Sequence, residues 1–76
     1  MANMLKLKGK IVENGMNVET VANQIGIDPA TMYRKIKDNG NGFTIEEANK
    51  IAILLSLDLE TITSIFFDDT VAENPH

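Results

Sequence analysis

The apolar positions of residues 18–37, VETVANQIGIDPATMYRKIK, fall at helical spacing in two short runs separated by a glycine. The first run predicts a helix over residues 18–25. Asn17 caps it, because a side-chain oxygen there accepts a backbone N–H two or three residues on. Gly26 stops it, since a chain leaving a helix often needs positive φ and glycine adopts that at little steric cost. Asp28 caps the next helix, and Pro29 takes its first position, where a missing N–H costs nothing. That helix ends near Asp38, and the Asn39-Gly40-Asn41-Gly42 loop follows. Upstream, Met4, Leu7 and Ile11 repeat at three- and four-residue steps, and Leu5 and Val12 lie seven apart. This predicts a helix from about residue 4 to Glu13, stopped by Asn14-Gly15. Leu5-Lys6-Leu7-Lys8 alternates as a strand would, and Gly9 weakens a helix by about 1 kcal/mol against alanine. No second strand exists to pair with it, so helix is the expectation. Downstream, Thr44 with Glu47 three residues on forms a capping box, with Phe43 and Ala48 in the staple positions. Ile45, Ala48, Ile51, Ala52 and Leu55 then mark one face of a helix to about Ser56. Asp58 caps a last short helix whose apolar face is Leu59, Ile62, Ile65 and Phe66. Five helices and no strand predict an all-α domain.

Length and charge narrow the picture. A chain of 76 residues makes one domain, expected over residues 1–67. Its core is marginal, because short chains bury a smaller fraction of their surface. There is no cysteine, hence no disulfide or thiolate metal site, which is compatible with a reducing cytoplasm. No apolar run approaches the ~20 residues that span a bilayer, and no signal peptide is expected. The net charge of −4 is unevenly spread. Residues 1–57 hold all seven Lys and Arg against six acids, while residues 58–76 hold five acids and no base. The end, DDTVAENPH over residues 68–76, is expected to be a disordered acidic tail.

An enzyme is a poor reading. There is no cysteine, no internal histidine, no Gly-rich phosphate loop and no cluster of metal ligands, so neither a cofactor nor a metal is expected. Glu46-Glu47 and Asp68-Asp69 are adjacent pairs, the wrong arrangement for paired acid–base work. The central stretch is more informative. Val21, Ile25, Ile27, Met32 and Ile36 form an apolar seam between its two helices, and Ala22 is small where a crossing helix must come close. Ala30, Tyr33, Arg34 and Lys37 are left on the outward face of the second. Two helices fixed at a steep angle, the second with a basic outward face, describe a helix-turn-helix.

The pattern Val21-Ala22, Gly26-Ile27, Thr31-Met32, Tyr33-Arg34-Lys35-Ile36 resembles the helix-turn-helix of Cro and repressor-type phage regulators. The flanks are similar too: LKGKIVENGM over residues 7–16, FTIEEANKI over residues 43–51, and IFF over residues 65–67. Together they resemble small Cro-like proteins of phages of Gram-positive bacteria, across roughly residues 4 to 67. The resemblance implies a compact five-helix repressor-like domain whose third helix enters the major groove of an operator duplex. By the same resemblance Asp28, Pro29, Ala30, Tyr33, Arg34 and Lys37 face the bases. Arg34 can donate two bonds to guanine O6 and N7, a discrimination of ~1–3 kcal/mol. Lys37 can do the same as a point charge or meet phosphate; Tyr33 and Ala30 offer contact to a thymine methyl. Asp28 is better placed as a cap, and Pro29 supplies shape. Phosphate contacts are expected from Lys35, from Asn17 and Thr20 at the start of the second helix, and from Asn39 and Asn41 in the loop.

Several alternatives stay open at this level. Lys6, Lys8 and Lys10 read either as phosphate contacts or as a solvated face. Phe66 and Phe67 either both close the core under the first helix or leave one ring exposed as a contact for a homodimer. A second function class also fits. The chain can keep the helix-turn-helix fold yet bind another regulator, such as a phage repressor protein, as small antirepressors and modulators do. The acidic balance and the apolar IFF end suit that version.

Overall fold

The computed structural model describes residues 3–67. The expected tail at residues 68–76 lies outside them. Five helices occupy the described chain: α1 Met4–Glu13, α2 Val18–Ile25, α3 Pro29–Lys37, α4 Ile45–Leu54 and α5 Leu59–Phe66. Each begins at a side-chain cap. Asn3, Asn17, Asp28, Thr44 and Asp58 accept a backbone N–H from the first turns of α1 to α5 respectively. Such caps satisfy donors that the helix itself leaves unpaired.

Helix α2 is the hub. It packs against α1, α3 and α4, while α1 also packs against α5. Leu7, Ile11, Val21, Met32, Ile51 and Ile65 are fully buried between them, drawn from all five helices. Asn3 ties the ends together, its N–H donating to the Ile65 carbonyl at 2.6 Å. No side chain among the described residues is both polar and buried.

The expected seam of α2 and α3 is buried at Val21, Ile25, Met32 and Ile36, with Ile27 half-buried. Other apolar expectations need correction. Leu5 and Val12 are exposed, so the buried face of α1 is Met4, Leu7 and Ile11 alone. Ile45 is 84% exposed and Leu59 77%. Each is the first residue of its helix, one turn ahead of the packed positions. Helix α4 stops at Leu54 rather than Ser56, because Ser56 turns to a positive φ of 55°. Of the two terminal rings, Phe66 is half-buried, edge-on to Phe43 at 5.9 Å and 82°, whereas Phe67 is 47% exposed.

One polar junction links α3 to α4. Glu47 Oε1 accepts from the Lys35 ammonium at 2.6 Å and from the Thr44 N–H at 3.1 Å. The Thr44 hydroxyl accepts the Glu47 N–H in return, at 3.0 Å, which completes the capping box. The Lys35 Nζ also lies 5.7 Å from the centre of the Phe43 ring. Burial by itself would raise the Glu47 pKa. The Lys35 ammonium, the Thr44 N–H and the Lys50 charge outweigh it and hold the carboxyl below its ordinary 4.5. Asp58, exposed at the start of α5, is likewise lowered by hydrogen bonds from the side chain and backbone of Thr61.

Two outcomes follow for stability. Leu7→Ala leaves a cavity in the core and is expected to cost ~2–5 kcal/mol in urea unfolding, a large share of what a domain this size has. A carboxyl held low in the fold stabilises it above the unfolded pKa, and that contribution fades as the pH drops through the folded value. Wild-type protein should therefore lose stability as the pH falls below about 4.5. Glu47→Gln should lower the melting temperature at neutral pH and flatten this acid limb. An unchanged pH profile would remove the Lys35–Glu47 pair from the account.

Candidate nucleic-acid interface

The turn between α2 and α3 is built from three local devices. Gly26 takes a left-handed φ of 85° and ends α2. The Ile27 N–H then donates back to the Ala22 carbonyl at 3.0 Å. Asp28 Oδ2 accepts the Ala30 N–H at 2.9 Å, and Pro29 opens α3. The angular setting of α3 is thus fixed at its first turn. Its burial fixes the rest: Met32 and Ile36 face the core.

What remains outward is the stripe expected from spacing. Ala30, Tyr33, Arg34 and Lys37 are all exposed, with Tyr33 at 50%. Arg34 and Lys37 line an open concavity of about 580 Å³ beside the loop after α3, together with Asp38 and Gly42. Neither cation has a hydrogen-bond or ion-pair partner among the described residues. Asp28 is exposed but committed to the cap, and Pro29 is half-buried.

The expected phosphate contacts divide. Lys35 departs from expectation. It is half-buried, its ammonium is held on Glu47, and its stem passes under Gly42, where an added Cβ would sit 3.3 Å from Lys35 Cγ. A phosphate would have to displace a partly buried carboxylate to reach it. At the start of α2, Asn17 Oδ1 already accepts the Thr20 N–H at 2.8 Å. This leaves the Asn17 amide group and the Thr20 hydroxyl as donors. Asn39 and Asn41 are exposed in the loop after α3, Asn39 with a positive φ of 60°. The Gly40 N–H closes that loop on the Lys35 carbonyl at 2.8 Å.

A second surface was not visible as such in the spacing. Ile45, Ala48, Asn49, Ala52, Ile62 and Phe67 line a shallow groove between α4 and α5. Of these, Ile45, Ala48 and Ala52 come from the apolar face expected for α4 and Ile62 from that expected for α5. Phe66 turns instead to Phe43, so only the second of the two terminal rings lies in this groove.

No group of three metal-ligating side chains occurs among the described residues, and no helix there is long and apolar enough to cross a membrane. No curated protein matches the chain, and neither does any solved structure. Residues 6–68 match the Cro/C1-type HTH DNA-binding domain, a span that takes in all but the first two residues of α1 and the whole of the other four helices. The chain belongs to the family of Cro/C1-type helix-turn-helix DNA-binding domains.

Proposed function

We propose that this chain is a sequence-specific transcriptional regulator of a phage or prophage switch, working in the cytoplasm with α3 in the major groove of an operator. The observation that carries the reading is the outward stripe of α3, which joins Arg34 and Lys37, unpaired among the described residues, to Tyr33 and Ala30 on a helix locked at both ends. Arg34 reads guanine through its two-pronged fork. Lys37 serves the next base or a phosphate. Tyr33 and Ala30 supply apolar contact to thymine. Asn17, Thr20, Asn39 and Asn41 donate to phosphates and set the register of the domain on the duplex. Lys35 is left out of this set, because its charge is spent within the fold.

With so few free cations, one domain holds DNA weakly. A homodimer resolves that by binding two half-sites about one helical turn apart. The α4–α5 groove with Ile45 and Phe67 supports such an interface. The same apolar groove, with the acidic charge of the chain, favours the second reading, in which the domain binds another regulator protein instead of an operator.

Selection from a random duplex pool tests the first reading. A regulator should enrich one motif and hold it at moderate salt, whereas backbone contact alone is equal on all sequences and is lost as salt rises. On the enriched duplex, Arg34→Ala should weaken binding by ~1–3 kcal/mol and relax selection at one position. An absence of any enrichment would turn attention to a protein partner. Ile45→Glu should separate a dimer into monomers in sedimentation analysis while the melting curve stays cooperative. A wild-type protein that is monomeric at all accessible concentrations would remove the dimer.

A further inference from the structure

The seven basic side chains fall into two groups. Lys6 Nζ donates to Ser64 Oγ at 2.9 Å. Lys10 pairs with Glu13 at 3.1 Å, Lys35 with Glu47 at 2.6 Å and Lys50 with Glu46 at 3.4 Å. Lys8, Arg34 and Lys37 have no such partner among the described residues. The free three are not scattered. Lys8, on α1, shares a groove of about 400 Å³ with Tyr33, Lys37 and Asn39, over a floor that includes Met4 and Ile36. Lys37 in turn shares the neighbouring concavity with Arg34, with the paired Lys35 and with one acid, Asp38. The three unpaired cations therefore lie along one continuous surface that starts on α1 and crosses the C-terminal half of α3.

Among the described residues no carboxylate lines the α1–α3 groove. Lys8 and Lys37 line it together, while the acid next to Lys37 in the chain, Asp38, lines the neighbouring concavity. Elsewhere the fold pairs its lysines; here it leaves two together beside the amide of Asn39 and the hydroxyl of Tyr33. Two ammonium groups, an amide N–H and a phenol O–H can all donate to one anion there, and the chemistry that suits is a phosphodiester.

We propose that Lys8 extends the DNA-contacting surface from α3 onto α1, where it meets a backbone phosphate of the strand flanking the groove that α3 occupies. The proposal rests on the DNA-binding reading above and adds a contact outside the helix-turn-helix. Lys8 supplies charge and register, and carries no base preference of its own. Of the three lysines on α1 it alone has this role, because Lys6 and Lys10 are engaged within the fold.

Salt dependence isolates the contact. Binding of the full chain to a labelled random-sequence duplex, and to the selected duplex, is measured across a series of salt concentrations. Lys8→Ala should make the slope of log K against log salt shallower by about 0.9, the value for one phosphate contact. The preferred motif should not change. Lys8→Arg should keep the wild-type slope, and Lys50→Ala, whose charge is already paired, should leave it unaltered. Matching melting curves establish that each variant is folded, as expected for an exposed position. A wild-type slope for Lys8→Ala, with binding still weakened by Arg34→Ala, would overturn this proposal and leave the DNA reading standing. Failure of the wild-type chain to bind any duplex would overturn the DNA reading, and the α1 contact with it.

Discussion

What α3 leaves exposed is decided by what it buries. Met32 and Ile36 sit four residues apart, and both are sealed under the rest of the domain. Side chains that far apart share one face of a helix, so burying both leaves a single rotational setting in which Ala30, Tyr33, Arg34 and Lys37 all face out. Val21, Ala22 and Ile25 form the seat on α2, and α2 itself is wedged against α1 and α4. The reading face is thus a by-product of core packing, and the core is as near a functional element as any exposed residue.

The polar junction at Glu47 adds a second constraint of a different kind. Apolar packing has no fixed direction, whereas one carboxylate oxygen shared by Lys35 and Thr44 ties the end of α3 to the start of α4 at a defined point. Phe43 fills the space beneath, between Lys35 on one side and Phe66 on the other. The loop after α3 is drawn over the Lys35 stem at Gly42, where a side chain would crowd it. A lysine that resembles a DNA contact in sequence is in this way the pin of the scaffold.

The five helices are legible in the sequence because their signals are local. Four of the five open on a capping residue read in place, and the stops at Asn14-Gly15, Gly26 and Asn39-Gly40 are seen in three or four residues of text; α1 is read from its apolar spacing, its cap Asn3 being visible only in the fold. The outward stripe of α3 is legible for the same reason. The Lys35–Glu47 pair is not, since its partners are twelve residues apart and Glu47 already has a sufficient role in the capping box. Nor is the exposure of Ile45 and Leu59. Periodicity places them on the apolar faces of their helices but does not say how far the neighbouring helices extend to cover the first turn. The sorting of the basic residues into paired and unpaired also depends on tertiary neighbours such as Ser64, which lies 58 residues from Lys6.

The caps of α2 and α3 differ in one respect that bears on how each helix meets an anion. Aligned peptide dipoles leave the start of a helix positive and its end negative. At the start of α3 that positive pole already has a resident carboxylate, Asp28, while Arg34, Lys35 and Lys37 crowd the negative pole in the last turn. The charge pattern of α3 therefore complements its own macrodipole, with each such charge contributing about 0.3–1 kcal/mol to the helix. At the start of α2 the cap, Asn17, is neutral, but Glu19 in the first turn sets a carboxylate beside that pole as well. Neither helix of the motif therefore begins at a bare positive pole, and the charge the pair can turn toward an anion is carried by the side chains of the last turn of α3.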